Sequence, residues 1–374
     1  MPAVNEALRI FSTRCMRGYA EEVARKLRGY SAFEHFLPQD AASEGLRVTT
    51  FADGEMEVDV RPSVRGADIY LFASAARNPE GIPVSECKLE LYHAVDALRR
   101  AQAGRITVFE PYMSAGRSDR TTKRNSVGLW IHLKALIGLG VNHLITYNLH
   151  SDMSVSMVDP VSCAMDDIPA LKLLKEHVSR AYVGSRAALL SEVKQRWVFC
   201  SVDAGGEVLA KKFASSFGTE MVVAHKQRDY STANQVQSTR ILSGTPLEGK
   251  TAWVVDDILD TGRSVYRLVQ ELAVRGVGKV NLAIVHPVFS PPALESLSEL
   301  HRRGLLGTVV TTDTVRLCPA DLNAHRFVEV VSSAGLSAEV VHRLHTDAPL
   351  SELFEPFRPE DYFSREGESL GVGR

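Results

Sequence analysis

Short apolar runs alternate with longer amphipathic stretches along nearly the whole chain. The runs predict strands at Leu8–Ser12, 48–51, 69–73, 106–110 and 144–148, and again at 197–202, 220–224, 252–255, 280–285, 307–311 and 327–331. Between them, helical periodicity predicts helices over 20–27, 86–101, 127–137, 168–181, 208–213 and 265–274. Within 86–101, Leu89, Leu91, Tyr92, Val95 and Leu98 are expected to form the buried stripe. Strands that alternate with helices imply parallel sheets covered on both faces. The pattern runs twice, with a loop-like interval near 159–167 between the halves. The expectation is an α/β protein with two doubly wound parallel-sheet domains, 1–160 and 161–337. The segment from about 338 to 374 is expected to pack back on the first, with an extended tail after Phe354.

At 374 residues, with 45% hydrophobic and 24% charged side chains, the chain can bury two cores of ordinary size. Its 43 basic and 45 acidic residues leave a formal charge of −2, which argues against a nucleic-acid partner. Cys15, Cys87, Cys163, Cys200 and Cys318 are odd in number and never spaced as CxxC. They read as reduced thiols rather than a disulfide frame or zinc site, with Cys87, Cys163 and Cys200 in the core. No stretch reaches the roughly 20 apolar residues of a membrane-spanning helix. The first residues carry Arg9, Arg14, Arg17 and Glu21-Glu22 without the apolar region of a signal peptide. A cytoplasmic protein without a membrane partner is expected.

One run concentrates the chemistry: Val254-Val255-Asp256-Asp257-Ile258-Leu259-Asp260-Thr261-Gly262-Arg263-Ser264. An apolar strand is expected to end at two adjacent carboxylates, break into a short loop, and give way to a helix from Val265. That order gathers backbone N–H groups, two hydroxyls and a helix N-terminus around one concavity, which suits a phosphate. The acid pair suits the cis hydroxyls of a ribose. The run resembles the signature shared by type I phosphoribosyltransferases and ribose-phosphate pyrophosphokinases.

The resemblance to the ribose-phosphate pyrophosphokinase family extends over about residues 5 to 355, through an ordered series of motifs. These are Phe51-Ala52-Asp53-Gly54-Glu55, Pro111-Tyr112, Arg117-Ser118-Asp119-Arg120, Asn148-Leu149-His150, Ser201-Val202-Asp203, Lys226-Gln227-Arg228 and the 256–264 loop. It implies domains of the type I phosphoribosyltransferase kind and a reaction that moves the β,γ-diphosphoryl group of ATP to O1 of ribose 5-phosphate. The products are 5-phosphoribosyl 1-pyrophosphate and AMP. Two alternatives are a non-catalytic regulatory relative and the same chemistry on another ribose-phosphate compound.

The resemblance also implies roles. ATP falls to Phe51, stacking on adenine, with Asp53 or Glu55 accepting from its amino group, and to Arg117, Ser118, Asp119 and His150. Ribose 5-phosphate falls to Asp256 and Asp257 on the hydroxyls, directly or through metal, and to Asp260, Thr261, Gly262, Arg263 and Ser264 on the phosphate. Mg²⁺ falls to His150 and Asp203. Lys226 and Arg228, at the head of a polar stretch expected to be a lid loop, are the catalytic cations. The 51–55 loop would serve a neighbouring subunit, which implies a homo-oligomer, a hexamer in the family. The chain departs from the family pattern at Ser118 (usually Gln), Asn148 (usually Asp), Gln227 (usually Arg) and Arg263 (usually small).

Overall fold

The computed structural model describes residues 7–33, 45–121, 123–183, 187–203, 205–228, 236–242, 244 and 246–359; at 187–189, 225–228, 236–240 and 242 the backbone alone is described. The chain divides into two compact units. The first comprises the described residues of Met1–Ala170, Thr314–Cys318 and Ser332–Phe354; the second those of Leu171–Asp313, Pro319–Val331 and 355–359.

The first unit contains strands β1 (Leu8–Ser12), β2 (Leu46–Thr50), β3 (Met56–Val60), β4 (Asp68–Phe72), β5 (Arg105–Glu110), β6 (His143–Tyr147) and β7 (Ala164–Ile168). Its helices are α1 (Arg17–Leu27), α2 (Val84–Arg100) and α3 (Gly128–Gly138). Five strands form a parallel sheet in the order β1-β4-β5-β6-β7, and β2 and β3 form a separate antiparallel hairpin. All five residues of β4 are buried, as a strand covered on both faces requires. On α2 the buried face is Cys87, Leu91, Ala94, Val95 and Leu98. Leu89, expected in that stripe, is 51% exposed, because its neighbours at 87 and 91 fix the helix rotation.

Two stretches differ from the expectation. Residues 164–167 were expected in a loop beyond a boundary at 160 and Ile168 at the start of a helix, but 164–168 form β7, the edge strand of the first sheet. An edge strand tolerates charge, and Asp166 there pairs with His143 at 2.7 Å, so Asp166-Asp167 hid the strand from an apolar pattern. Residues 56–60, unassigned in the sequence, form β3 by pairing with β2 across the Asp53-Gly54 turn.

The second unit contains α4 (Leu171–Val178), α5 (Ala187–Arg196), β8 (Trp197–Ser201), α6 (Glu207–Phe217), β9 (Glu220–Arg228), β10 (Val236–Leu242), β11 (Thr251–Leu259), α7 (Arg263–Val274), β12 (Lys279–Pro287), α8 (Ala293–Arg302), β13 (Leu306–Thr312), α9 (Pro319–Ala324) and β14 (Val328–Val331). The sheet runs β10-β9-β8-β11-β12-β13-β14, parallel except for β10. The chain moves outward from β8 to β10, then returns to place β11 on the other side of β8. The order reverses there, and the crevice beyond the carboxyl ends of β8 and β11 is where such sheets bind ligands. The longer interval before Trp197 holds β7, α4, a π-helical turn (Ser179–Val183) and α5.

The last helix, α10 (Ala334–His345), belongs to the first unit and packs on α1. A buried carboxylate ties it down. Asp68 accepts hydrogen bonds from Arg105 Nε (2.8 Å) and Nη2 (2.6 Å), from the Tyr70 hydroxyl (2.8 Å) and from His345 Nδ1 (2.8 Å). Burial works against its ionised form, yet the hydrogen bonds from His345, Arg105 and Tyr70 outweigh it and hold the carboxyl below its usual range.

Candidate active site

In the second unit, β11 runs through the acid pair rather than ending at it, because β12 pairs alongside as far as Leu259↔Pro287. Pairing with β8 stops at Val255↔Ser201, so Asp256 and Asp257 project at the crevice where one neighbour has ended. Gly262 follows with φ +73, a conformation that costs glycine little. It is the N-cap of α7, and it makes no side-chain cap. The first turn of α7 also lacks an acidic residue, so its N–H groups and the dipole's positive end are available to an anion. Asp260, Thr261 and Ser264 are half-buried around this turn and Arg263 is exposed.

Asp203 lies just beyond β8, and its Oδ1 accepts the backbone N–H groups of Gly205 (2.9 Å) and Gly206 (3.3 Å). A methyl added at Gly206 would lie 3.5 Å from Asp256 Oδ1, so the start of α6 closes on the acid pair. Burial, then Asp257, then Asp203 push the Asp256 carboxyl well above the usual range. The carboxylates of Asp256, Asp257 and Asp203 are oxygen donors of one sign, the chemistry that a hard dication such as Mg²⁺ takes. Among the described residues no group of three or more His, Cys, Asp or Glu is placed to hold a metal ion by itself. An open set suits an ion that keeps waters and takes substrate phosphates as ligands.

The expected lid is different. Lys226 and Arg228 lie within β9, in register with Thr239 and Val236 of β10. The stretch 227–238, expected as a polar loop, is therefore partly strand; 229–235 lie outside the described residues. Beyond Val223 β9 has lost its β8 neighbour and pairs only with the edge strand β10, so its polar sequence lacks the apolar alternation of a half-buried strand.

In the first unit, Phe51, Asp53 and Glu55 stand at the tip of the β2–β3 hairpin. Phe51 N–H donates to Glu55 O (2.8 Å), Gly54 N–H to Phe51 O (2.9 Å) and Glu55 N–H to Asp53 Oδ1 (3.1 Å). Gly54 takes φ +92. Phe51 is 48% exposed, so this ring is held out rather than spent on the core.

Arg117, Ser118 and Asp119 follow β5. Arg117 is exposed and Asp119 half-buried. Ser118 turns to structure: its Oγ accepts Gly128 N–H (2.9 Å) and its carbonyl accepts Leu129 N–H (3.1 Å), capping α3. Behind the loop, His132 Nε2 meets Glu110 Oε2 at 2.5 Å, and the Tyr92 hydroxyl meets His132 Nδ1 at 2.8 Å. The buried Glu110–His132 pair and the half-buried Tyr92 join the end of β5 to α3 and α2. Sequence reasoning missed the pair, since Glu110 and His132 lie within apolar runs.

His150 is exposed, two residues beyond Asn148 at φ +45, a left-handed conformation that asparagine tolerates better than most residues. Asp167 holds this turn by accepting Leu149 N–H on both oxygens (3.0 and 3.1 Å). Asp167 was also missed, and its adjacency to Asp166 in a short strand is a faint signal. His150 and Asp203 fall in different units, as do the residues expected to hold ATP and the turn expected to hold the ribose phosphate.

Comparisons with known proteins agree with this division. Residues 8–140 match the N-terminal domain of ribose phosphate pyrophosphokinase, and 176–299 the phosphoribosyl transferase domain. The chain is 31% identical to a ribose-phosphate pyrophosphokinase of Prochlorococcus marinus over 353 residues, 93% of this chain and 94% of that protein. It is 31% identical to chloroplastic ribose-phosphate pyrophosphokinase 2 of Spinacia oleracea over 312 residues, 83% of this chain and 72% of that protein. The crystal structure of phosphoribosylpyrophosphate synthetase from Mycobacterium smegmatis superposes with a TM-score of 0.76 at 26% identity, covering 91% of this chain and 99% of that one. The chain is an enzyme of the diphosphotransferase class and belongs to the ribose-phosphate pyrophosphokinase family.

Proposed function

We propose that the family reaction runs here on the residues described above. Ribose 5-phosphate lies beyond β8 and β11, its phosphate on the N–H groups of Thr261 to Ser264 and its hydroxyls on Asp256 and Asp257. The observation that carries this is the uncapped α7 N-terminus beside an acid pair at the reversal point of the sheet. ATP is held by Arg117, Asp119 and His150, with Phe51, Asp53 and Glu55 supplied by a neighbouring copy. The ribose O1 attacks the β-phosphorus, the bond from Pβ to the α,β-bridging oxygen breaks, and AMP leaves. Lys226 and Arg228 neutralise charge on the transferring group. Bound Mg²⁺, for which Asp203 is the proposed protein ligand, would shield the phosphate charge that otherwise repels the incoming oxygen.

The exposed Phe51 at a hairpin tip supports a homo-oligomer, a hexamer by resemblance to the family. The five cysteines are free thiols, which supports a cytoplasmic setting, and no described helix is long and apolar enough to cross a membrane. Incubation with Mg-ATP and ribose 5-phosphate should yield AMP and 5-phosphoribosyl 1-pyrophosphate in equal amounts. Release of ADP, or no reaction at any protein concentration, would refute it. Sedimentation of a fully active monomer would refute the shared site.

A further inference from the structure

Strand β5 is buried from Ile106 onward, yet its last residue is a carboxylate, Glu110. Only one of its oxygens is used. Oε2 meets His132 Nε2 of α3 at 2.5 Å, and Oε1 has no hydrogen-bond partner among the described residues. The Thr146 hydroxyl, buried on β6 in register with Glu110, has none either. Half-satisfied buried polar groups cost stability that an apolar pair of similar volume would not. Leu129, Leu133 and Leu136 already seat α3 by apolar burial, so the polar pair is not needed for adhesion. What it adds is direction. A hydrogen bond fixes the rotation and slide of a helix, whereas apolar contact tolerates changes in both.

A fixed α3 controls the loop that leads into it. The segment 110–132 is closed twice, at its base by Glu110 and His132 and one helical turn away by Ser118, which accepts Gly128 N–H (2.9 Å) and Leu129 N–H (3.1 Å). Arg117 and Asp119 flank Ser118. The imidazole is held from its other side by Tyr92 of α2. Burial, then the Glu110 charge, push the Tyr92 hydroxyl up to about 12, so it stays protonated. Donating to His132 Nδ1 (2.8 Å), it leaves the ring proton on Nε2, toward Glu110. The neighbouring strand is joined at the same level, where Tyr147 N–H donates to Pro111 O (3.3 Å) three residues before His150.

We propose that Glu110 and His132, with Tyr92 setting the ring, are positioning residues for ATP: they hold α3 against β5 so that Ser118 fixes Arg117 and Asp119 where the nucleotide binds. This role rests on the reading that Arg117 and Asp119 hold ATP. Calorimetry of the full chain with Mg-ATP alone, steady-state kinetics with each substrate varied, and urea melts test it. Glu110→Leu should raise the Kd for Mg-ATP about tenfold, the worth of one charge-assisted hydrogen bond, and leave the KM for ribose 5-phosphate unchanged. Tyr92→Phe removes only a half-buried hydroxyl; it should raise the same Kd severalfold and serves the test should Glu110→Leu not fold. The Glu110→Leu/His132→Leu variant separates positioning from stability. Two apolar partners should bring the urea midpoint near that of wild type while the Kd for Mg-ATP stays raised. Recovery of the Kd together with the midpoint, or equal rises in KM for both substrates, would overturn the proposal. A wild type that does not bind Mg-ATP would overturn the ATP reading and this role with it. A wild type that binds no better than its variants would overturn this role alone.

Discussion

Ser118 Oγ accepts the backbone N–H of Gly128 at 2.9 Å, so the residue beside Arg117 caps α3. Gly128 permits this approach, since a Cβ there would lie 3.2 Å from both Ser118 Oγ and Ala115 Cβ. The family's usual Gln is too long for this cap. Ser118→Ala should cost about 1 kcal/mol of stability, the usual worth of a cap. By loosening the Arg117 loop it should raise the KM for ATP several-fold with kcat little changed. Denaturant melts and steady-state kinetics check both; a destabilised variant with unchanged KM would leave Ser118 a helix cap alone.

The turn before α7 makes a substrate-selective prediction. Asp260→Ala and Thr261→Ala should raise the KM for ribose 5-phosphate more than that for ATP. Gly262→Ala adds strain at φ +73 and should cost about 1 kcal/mol by melting as well. Equal effects on both substrates would remove the phosphate from this turn.

Lys226 and Arg228 alternate with Gln227 along β9, so the strand puts residues 226 and 228 on one face of the hairpin. Two cations at that spacing can serve one phosphoryl group. Lys226→Ala should lower kcat on the order of 10²-fold while ATP binding stays within a few-fold, the pattern of an interaction made in the transition state. Removing both should cost less than the product of the single losses. An unchanged kcat with raised KM would make them ground-state binders.

Asp68 gives a pH prediction for the first unit. Its folded carboxyl titrates below the unfolded value of about 3.9. Its contribution is therefore complete above that value and disappears as pH falls through the folded one. Asp68→Asn should cost about 3 kcal/mol at neutral pH, because Arg105 and His345 lose a buried charge partner. It should also flatten the acid side of the stability curve. Urea midpoints measured from about pH 2 to 6 check this; parallel curves for both proteins would contradict it.

Much of the architecture was legible because parallel strands buried on both faces must be apolar throughout. Predicted runs such as 69–73, 144–148 and 280–285 overlap observed strands, and the motif run around Asp256 falls on β11 and α7. β7, β10 and the far end of β9 escaped. β7 and β10 are edge strands that carry charged and polar residues, and β9 runs on past its last pairing with β8 at Ser201↔Val223, so the alternation that marks a core strand is missing.

The sequence by itself determined the family chemistry, since a phosphate loop needs its acids, hydroxyls and glycine at fixed spacing along one chain. Contacts between residues distant in sequence have no such local signature. Tertiary structure decided that Ser118 caps a helix ten residues later, that Asp167 holds the turn before His150, and that Glu110 meets His132. It also decided that Asp203 raises the proton affinity of Asp256. The strand order β8-β11 brings those two carboxylates together, and no reading of neighbouring residues contains that order.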